Sequence, residues 1–194
     1  MNKYKILTLS GVTASGKTSI ARELIQGSVD KKLNSDHEFR MLRSYTTRNH
    51  RDSDLPWEYA YLTEDEFTRD ENSFLWTNDY GGARYGTKRD DLETALQADY
   101  TSIMILVPGK IEELYSYVPQ GSVLSIFIET PPEEEVRRRL KERGGLSEEE
   151  IELRMKQNSL WEMRARKSSI PYRFIKNSRD GLDLAVKNIL EYFN

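Results

Sequence analysis

Residues 11–18 form a complete G-x-x-x-x-G-K-T pattern close to the start of the chain. The pattern follows an apolar run at residues 6–10 and precedes a helix-like segment at 17–26. In this context it predicts a phosphate-binding loop, because the glycines let backbone N–H groups at a helix N-terminus point at phosphate oxygens. We expect Lys17 to reach the terminal phosphates of a nucleoside triphosphate and the Thr18 hydroxyl to hold Mg²⁺. The residues expected to bind ATP in this loop are Gly11, Thr13, Ala14, Ser15, Gly16, Lys17, Thr18 and Ser19.

Apolar patterning along the chain alternates between strand-like and helix-like segments. Strands are predicted near residues 4–10, 40–45, 101–107, 122–128 and 172–176. Helices are predicted near residues 17–26, 88–98, 109–117, 131–143 and 180–193. Such alternation predicts an α/β fold in which a parallel sheet of the P-loop NTPase type is flanked by helices.

Two segments do not fit this alternation. The stretch 46–87 is rich in aromatic residues and glycines, with short strand-like pieces and one acidic helix near 63–71, which predicts a small inserted α+β subdomain. Further along, Gly144 and Gly145 interrupt an arginine-rich helix, and Ser147 with Glu150 forms a capping box that starts the next helix. A glycine hinge between two helices predicts a short helical lid.

Composition excludes several classes of protein. The chain of 194 residues has a formal net charge of −3 and no cysteine, which argues against bulk nucleic-acid binding and excludes disulfides and thiolate metal sites. No apolar run approaches the roughly 20 residues of a membrane span, and no secretion signal is visible. We therefore expect a cytoplasmic protein, monomeric or homodimeric, whose partners are small molecules rather than nucleic acid or a membrane.

Arginines are clustered on both sides of the glycine hinge. Arg139 and Arg143 lie four residues apart and share a helix face, and Arg154 lies on the following helix. Three guanidinium groups brought together by the hinge would neutralise the charge on a transferring phosphoryl group. The same helix also contains Glu/Arg pairs at spacing i,i+4, typical of a solvated surface, so spacing alone leaves both interpretations open.

A third basic cluster occupies residues 43–51, where a predicted strand opens into the small subdomain. Arg48 and Arg51, with hydroxyl groups around them, suit bidentate binding of the phosphate of a second substrate. As an isolated string, the segment is equally compatible with a solvated basic loop.

Taken in order, four motifs resemble those of the guanylate kinase family. They are the phosphate-binding loop, Ser-x-Thr-Thr-Arg-x-x-Arg at 44–51, Tyr-Gly-Thr at 85–87 and Arg-Gly-x-x-Ser-Glu-Glu-x-Ile-x-x-Arg at 143–154. The resemblance implies a single domain over 1–194, divided into a core (1–45, 88–138 and 170–194), a nucleoside-monophosphate-binding subdomain (46–87) and a lid (139–169). It also implies a role for each matching residue. Those expected to bind the acceptor are Ser44, Arg48, Arg51, Tyr59, Tyr85 and Thr87, those expected at the ATP phosphates and the moving phosphoryl group are Lys17, Arg139, Arg143 and Arg154, and Asn177 is expected near the adenine.

The chain departs from this family where the acceptor base is read. Trp76 occupies the position of a glutamate that accepts hydrogen bonds from guanine, and Met104 and Leu106 replace the carboxylates of a strand-end turn. Guanine donors left unpaired against such apolar groups would each cost roughly 1–3 kcal/mol. Trp76 is interpreted either as a core residue of the subdomain or as a stacking wall of the acceptor site. The acceptor is therefore GMP or dGMP, or a different nucleotide such as a pyrimidine or modified nucleoside monophosphate.

The favoured function is ATP- and Mg²⁺-dependent phosphoryl transfer to a nucleoside monophosphate, giving the diphosphate. One alternative is a sugar-phosphate kinase similar to ribose 1,5-bisphosphate phosphokinase, suggested by the apolar turn at 107–109. A second alternative is a non-catalytic guanylate-kinase-like module that binds proteins. The carboxylate that completes the magnesium site is left open, with Glu129 at a predicted strand end as one candidate.

Overall fold

The computed structural model describes residues 3–31, 37–51, 54–144, 147–178 and 181–193. The strands are β1 (Ile6–Gly11), β2 (Phe39–Met41), β3 (Ser44–Thr46), β4 (Tyr59–Tyr61), β5 (Phe74–Tyr80), β6 (Ala83–Lys88), β7 (Thr101–Ile105), β8 (Val123–Ile128) and β9 (Arg173–Ile175). The α-helices are α1 (Lys17–Val29), α2 (Glu64–Arg69), α3 (Arg89–Gln97), α4 (Pro108–Tyr117), α5 (Glu133–Arg143), α6 (Glu148–Lys167) and α7 (Leu182–Leu190).

Five parallel strands form the larger sheet in the order β2-β7-β1-β8-β9. Every residue of β1 and β8 is buried, as expected for central strands covered on both faces. Helices α1 and α7 pack on one face through residues such as Leu24 and Ile189, and α3 and α4 supply Leu92 and Leu114 to the cluster on the other. The predicted α/β fold, a parallel sheet flanked by helices, is confirmed.

A smaller sheet has the strand order β4-β3-β6-β5. One of its faces is covered by α2, where the rings of Phe67 and Phe74 stack with their centroids 4.5 Å apart. The pairing of β5 with β6 shifts register between Phe74 and Trp76, so these two residues do not share a face as an unbroken strand would require. This irregularity lets Phe74 pack under the sheet while Trp76 faces the larger sheet and its core.

The strand predicted at 40–45 is two strands that belong to different sheets. β2 pairs with β7 in the larger sheet, and β3 pairs with β4 and β6 in the smaller one. Between them Leu42 is buried and its N–H donates to the carbonyl oxygen of Ile103, which ends the pairing with the larger sheet. The smaller sheet thus begins at Ser44, two residues before the subdomain boundary expected from the sequence.

Helices α5 and α6 form the segment in which the lid is expected. The predicted capping box is present: the Ser147 hydroxyl accepts from the N–H of Glu150, and the Glu150 carboxylate accepts from the N–H of Ser147. The two helices pack through Val136, Leu140 and Ile151. Of the predicted hinge glycines, Gly144 has a φ of 70°, and Gly145 lies outside the described residues. Within the described residues, no helix is long and apolar enough to cross a membrane.

Candidate active site

The loop between β1 and α1 has the left-handed backbone that its glycines predict. Gly11 and Gly16 have φ values of 142° and 94°. A Cβ on Gly11 would lie 2.7 Å from the carbonyl oxygen of Ile128, and one on Gly16 would lie 2.1 Å from Nδ2 of Asn177. Both glycines are therefore required by conformation and by close packing.

Two side chains, one local and one distant in sequence, hold the carbonyl groups of this loop. Lys17 Nζ donates to the carbonyl oxygens of Gly11 and Val12, at 2.8 and 2.7 Å. Asn177, which follows β9 and is buried, donates through Nδ2 to the carbonyl oxygen of Ser15 at 2.8 Å. The carbonyl groups of Gly11, Val12 and Ser15 are thus engaged within the chain, and the N–H of Ser15 donates to the carbonyl oxygen of Val12 at 3.3 Å.

Arg139 on α5 joins the lid segment to the same loop. Its Nη1 donates to the carbonyl oxygen of Ala14 at 3.1 Å, and its Nε donates to Glu135 at 2.6 Å. The sequence offered two interpretations, a phosphate-binding arginine or a member of an i,i+4 surface pair. In the structure Arg139 forms the i,i+4 pair with Glu135, and its guanidinium group also contacts the loop through the carbonyl oxygen of Ala14.

Thr18, at the start of α1, contacts a carboxylate from the smaller sheet. The Thr18 hydroxyl donates to Oε1 of Glu58 at 3.1 Å. Glu58 directly precedes β4 and is only 6% exposed. Sequence reasoning missed this residue because a single glutamate, forty positions from Thr18, belongs to no recognisable spacing.

Arg48 and Asp54 form a buried ion pair beside Tyr59, one of the residues expected to bind the acceptor substrate. Arg48 Nη1 lies 2.8 Å from Oδ2 of Asp54, and the two side chains are 9% and 2% exposed. Tyr61 and the N–H of Arg51 donate to the same oxygen, each at 2.7 Å. Burial favours a raised pKa for Asp54, but the hydrogen bonds from Arg48, Tyr61 and Arg51 outweigh it and lower the pKa to about 2.

The ion pair also fixes Arg48 against aromatic rings. Its guanidinium carbon lies 4.6 Å from the ring centroid of Tyr59, a cation–π geometry. Burial, followed by the charges of Glu58 and Tyr85, raises the pKa of the Tyr59 hydroxyl above its usual value. Tyr59 therefore stays neutral at physiological pH and is available as a hydrogen-bond donor.

One face of the smaller sheet forms the wall expected for the acceptor base. Trp76, Asn78 and Tyr80 lie on this face along β5. Thr87 and Tyr85 of β6 pair with Trp76 and Asn78. Trp76 is 7% exposed and belongs to the core cluster, yet it also lines the cavity. Trp76 is therefore a core residue that also borders the cavity, and its role as a stacking wall for an acceptor base stays a prediction.

The lid segment reaches this wall. Trp161 of α6 lies with its ring centroid 5.8 Å from that of Tyr80, so α6 contacts the smaller sheet directly. Arg154, on the same helix, lines the cavity, and among the described residues no hydrogen bond or ion pair engages its side chain. The side chain of Arg143 lies outside what the structure describes.

A single cavity of about 670 Å³ joins these groups. It is lined by the predicted residues Gly11, Thr13, Ala14, Gly16, Lys17, Thr18, Ser19, Ser44, Arg48, Arg51, Tyr59, Trp76, Tyr85, Thr87, Arg139, Arg154 and Asn177. Ser15, predicted to bind ATP, is not a lining residue, because it is fully buried within the loop. The lining residues that the sequence did not predict include Glu58, Asn78 and Trp161. Glu129 is not among the described lining residues and instead pairs with Arg166 at 3.1 Å.

Comparison with known proteins agrees with this geometry. A family model described as guanylate kinase matches residues 3–193. The guanylate kinase of Chlamydia abortus is 30% identical over 164 residues, which cover 83% of this chain and 75% of that protein. The guanylate kinase of Mycoplasma mobile is 29% identical over 198 residues, covering 98% and 94%.

Among solved structures, the crystal structure of guanylate kinase from Anaplasma phagocytophilum has a similar fold. Its TM-score is 0.69 at 20% sequence identity, over 96% of this chain and 82% of that one. The resemblance of the four motifs is thereby confirmed over almost the whole chain. The chain belongs to the guanylate kinase family of nucleoside monophosphate kinases.

Proposed function

We propose that the chain transfers the γ-phosphoryl group of ATP, with Mg²⁺, to a nucleoside monophosphate and releases ADP and a nucleoside diphosphate. The observation that carries the proposal is the continuity of one cavity from the phosphate-binding loop to the buried Arg48–Asp54 pair. A donor triphosphate on the loop and an acceptor phosphate at Arg48 would therefore share one cavity. Family membership supports the same reaction.

The donor would bind along the loop. Backbone N–H groups and Lys17 would hold the phosphates, and Asn177 would lie beside the adenine as well as supporting the loop. The Thr18 hydroxyl fits a magnesium ion, because Mg²⁺ prefers oxygen ligands. The ion would neutralise phosphate charge and fix the orientation of the phosphate chain.

The acceptor would bind on the opposite side of the cavity. Arg48, Arg51 and Ser44 would hold its phosphate, with Tyr59 and Tyr85 beside them. One oxygen of that phosphate would attack the γ-phosphorus in line, and the bond to the β–γ bridging oxygen of ATP would break. No general base is needed, because a phosphate acceptor is already an anion. The lid residues proposed to neutralise the transferring group are Arg139, Arg143 and Arg154.

The base of the acceptor would meet Trp76, Leu106 and the polar side chains of Asn78 and Thr87, all of which line the cavity. An amide and a hydroxyl each contribute a donor and an acceptor, whereas a carboxylate only accepts. Selection for guanine over pyrimidines should therefore be weaker than in a site built on carboxylates. We accordingly include pyrimidine and modified nucleoside monophosphates with GMP and dGMP among the acceptors.

The comparisons support neither of the other functions considered. A sugar-phosphate kinase would use ribose 1,5-bisphosphate and no nucleotide acceptor, and a protein-binding module would not turn over ATP. The complete loop and the lining arginines favour a catalytic chain over such a module.

The test is ATP consumption with Mg²⁺ against GMP, dGMP, AMP, CMP, dTMP, dUMP and ribose 1,5-bisphosphate. We expect turnover with at least one nucleotide, none with the sugar phosphate, and a loss of at least about 100-fold in Lys17→Ala. Turnover of the sugar phosphate alone, or equal rates in wild type and Lys17→Ala, would refute the proposal.

A further inference from the structure

Glu58 connects the smaller sheet to the phosphate-binding loop. It directly precedes β4 and accepts a hydrogen bond from the Thr18 hydroxyl at 3.1 Å, so it lies at the loop end of the cavity. At 6% exposure, it is almost fully removed from solvent. A buried carboxylate is costly unless a cation or several hydrogen bonds stabilise it.

The other carboxylates of the cavity already have cationic partners. Asp54 is paired with Arg48 at 2.8 Å, and Glu135 with Arg139 at 2.6 Å. Glu142, the remaining one among the described lining residues, is paired with Arg138. For Glu58, in contrast, the described part of the chain provides no lysine or arginine within ion-pair distance, and the group that donates to it there is the neutral hydroxyl of Thr18.

We propose that Glu58 is the carboxylate of the magnesium site, acting together with Thr18; this inference rests on the proposed function. Mg²⁺ is typically bound by one or two carboxylates together with substrate phosphates, so a large acidic cluster is not required. None is present among the described residues. Glu58 supplies the missing negative charge, and by accepting the hydrogen bond of the Thr18 hydroxyl it leaves the hydroxyl lone pairs free to face the metal.

The position of Glu58 has a second consequence. It belongs to the acceptor side of the cavity, whereas Thr18 belongs to the donor side. A metal held by both would therefore bind best when the smaller sheet lies against the loop. Metal affinity and the approach of the acceptor subdomain are coupled through this contact.

A purely structural role for Glu58 gives a different expectation. If Glu58 only links the two segments by its hydrogen bond, then Glu58→Gln should preserve that bond and leave metal affinity unchanged, because a glutamine oxygen also accepts from Thr18. If Glu58 provides charge to a metal, the same variant should lose metal affinity. Glu58→Asp keeps the charge and serves as the conservative variant.

The experiment is a Mn²⁺ titration of the full chain in the presence of a saturating non-hydrolysable ATP analogue. Electron paramagnetic resonance measures the free and bound Mn²⁺. We expect the Mn²⁺ dissociation constant to rise at least about tenfold in Glu58→Gln and less in Glu58→Asp. The matched control is Glu129→Gln, which removes a carboxylate outside the cavity and should leave the constant unchanged. Thermal unfolding of each variant establishes that it is folded.

Mn²⁺ binding within twofold of wild type in Glu58→Gln would overturn the inference and leave the proposed function standing. An equal loss in Glu129→Gln would overturn it too, because the effect would then follow net charge rather than position. If the wild-type chain binds neither the analogue nor Mn²⁺ in its presence, the proposed function itself fails. Should Glu58→Gln not fold, Glu58→Ala takes its place: a rise of at least about tenfold in the Mn²⁺ dissociation constant would support the inference, and a constant within twofold of wild type would overturn it.

Discussion

The amide of Asn177 occupies the space that a side chain on Gly16 would need, with Nδ2 only 2.1 Å from the position of a Cβ. The same amide donates to the carbonyl oxygen of Ser15 at 2.8 Å. A residue that follows the last strand of the larger sheet therefore contacts the loop near the N-terminus. This contact requires glycine at position 16 even apart from the positive φ of 94°.

Gly16→Ala should consequently combine backbone strain with a steric clash. We expect weaker binding of a non-hydrolysable ATP analogue, measured by calorimetry, and a loss of unfolding free energy larger than the roughly 1–2 kcal/mol of a left-handed backbone alone. Gly82→Ala is the matched control, since Gly82 has a φ of 77° and open space where its Cβ would lie. Equal losses of stability in the two variants would show that the contact with Asn177 contributes nothing.

The depressed pKa of Asp54 predicts a dependence of stability on pH. Its pKa is about 2 in the folded chain, against the ordinary value of 3.8 for an aspartate side chain. Because the unfolded chain binds the proton more readily, the Arg48–Asp54 pair stabilises the folded state fully above about pH 4. That contribution, roughly 2 kcal/mol, is lost as the pH falls toward about 2.

Asp54→Asn removes the titrating group and leaves Arg48 buried without its partner. Urea unfolding should show the variant less stable than wild type at pH 7, with the difference narrowing between about pH 4 and pH 2. A difference that stays constant from pH 7 to pH 2.5 would contradict the assignment of the depressed pKa to this carboxylate.

Arg154 is expected to act on the transferring phosphoryl group rather than on substrate binding. Arg154→Ala should lower kcat by about 100-fold or more, with a much smaller change in KM for the acceptor. Arg166→Ala is the control on the same helix, because Arg166 pairs with Glu162 and Glu129 and is not among the described lining residues of the cavity. A KM effect without a kcat effect would reassign Arg154 to ground-state binding.

Asn78 is expected to influence which base is accepted. Asn78→Asp changes the amide to a carboxylate, which accepts from the N1–H and N2–H₂ donors of guanine and repels carbonyl oxygens. The ratio of kcat/KM for dGMP over dTMP should rise by about tenfold. Steady-state kinetics with both nucleotides measures this ratio, and an unchanged value would remove Asn78 from base recognition.

The sequence predicted the parts of the fold that local patterns determine. The phosphate-binding loop, the parallel sheet with its helices and the capping box of Ser147 and Glu150 are each set by neighbouring residues. The strand at 40–45 was predicted as one element because apolar alternation does not reveal that a chain leaves one sheet for another. That change depends on the burial of Leu42, a tertiary contact.

The site was predictable to the extent that its residues belong to motifs. Glu58 and Trp161 were missed because each reaches the cavity only through contacts between distant segments, with Thr18 and Tyr80 respectively. Trp76 departs from the family pattern, but its place between the core and the cavity follows from the irregular pairing of β5, which local sequence patterns do not indicate. Long-range packing, rather than local preference, determined these positions.

The most direct test of the account follows the phosphoryl group itself. ATP labelled with ³²P at the γ-position should be incubated with Mg²⁺, the preferred acceptor and either wild type or Lys17→Ala, and the products separated. The account predicts that the label appears in the nucleoside diphosphate with wild type and is almost absent with the variant. Label found only in inorganic phosphate, or retained in ATP with every nucleoside monophosphate tried, would contradict it.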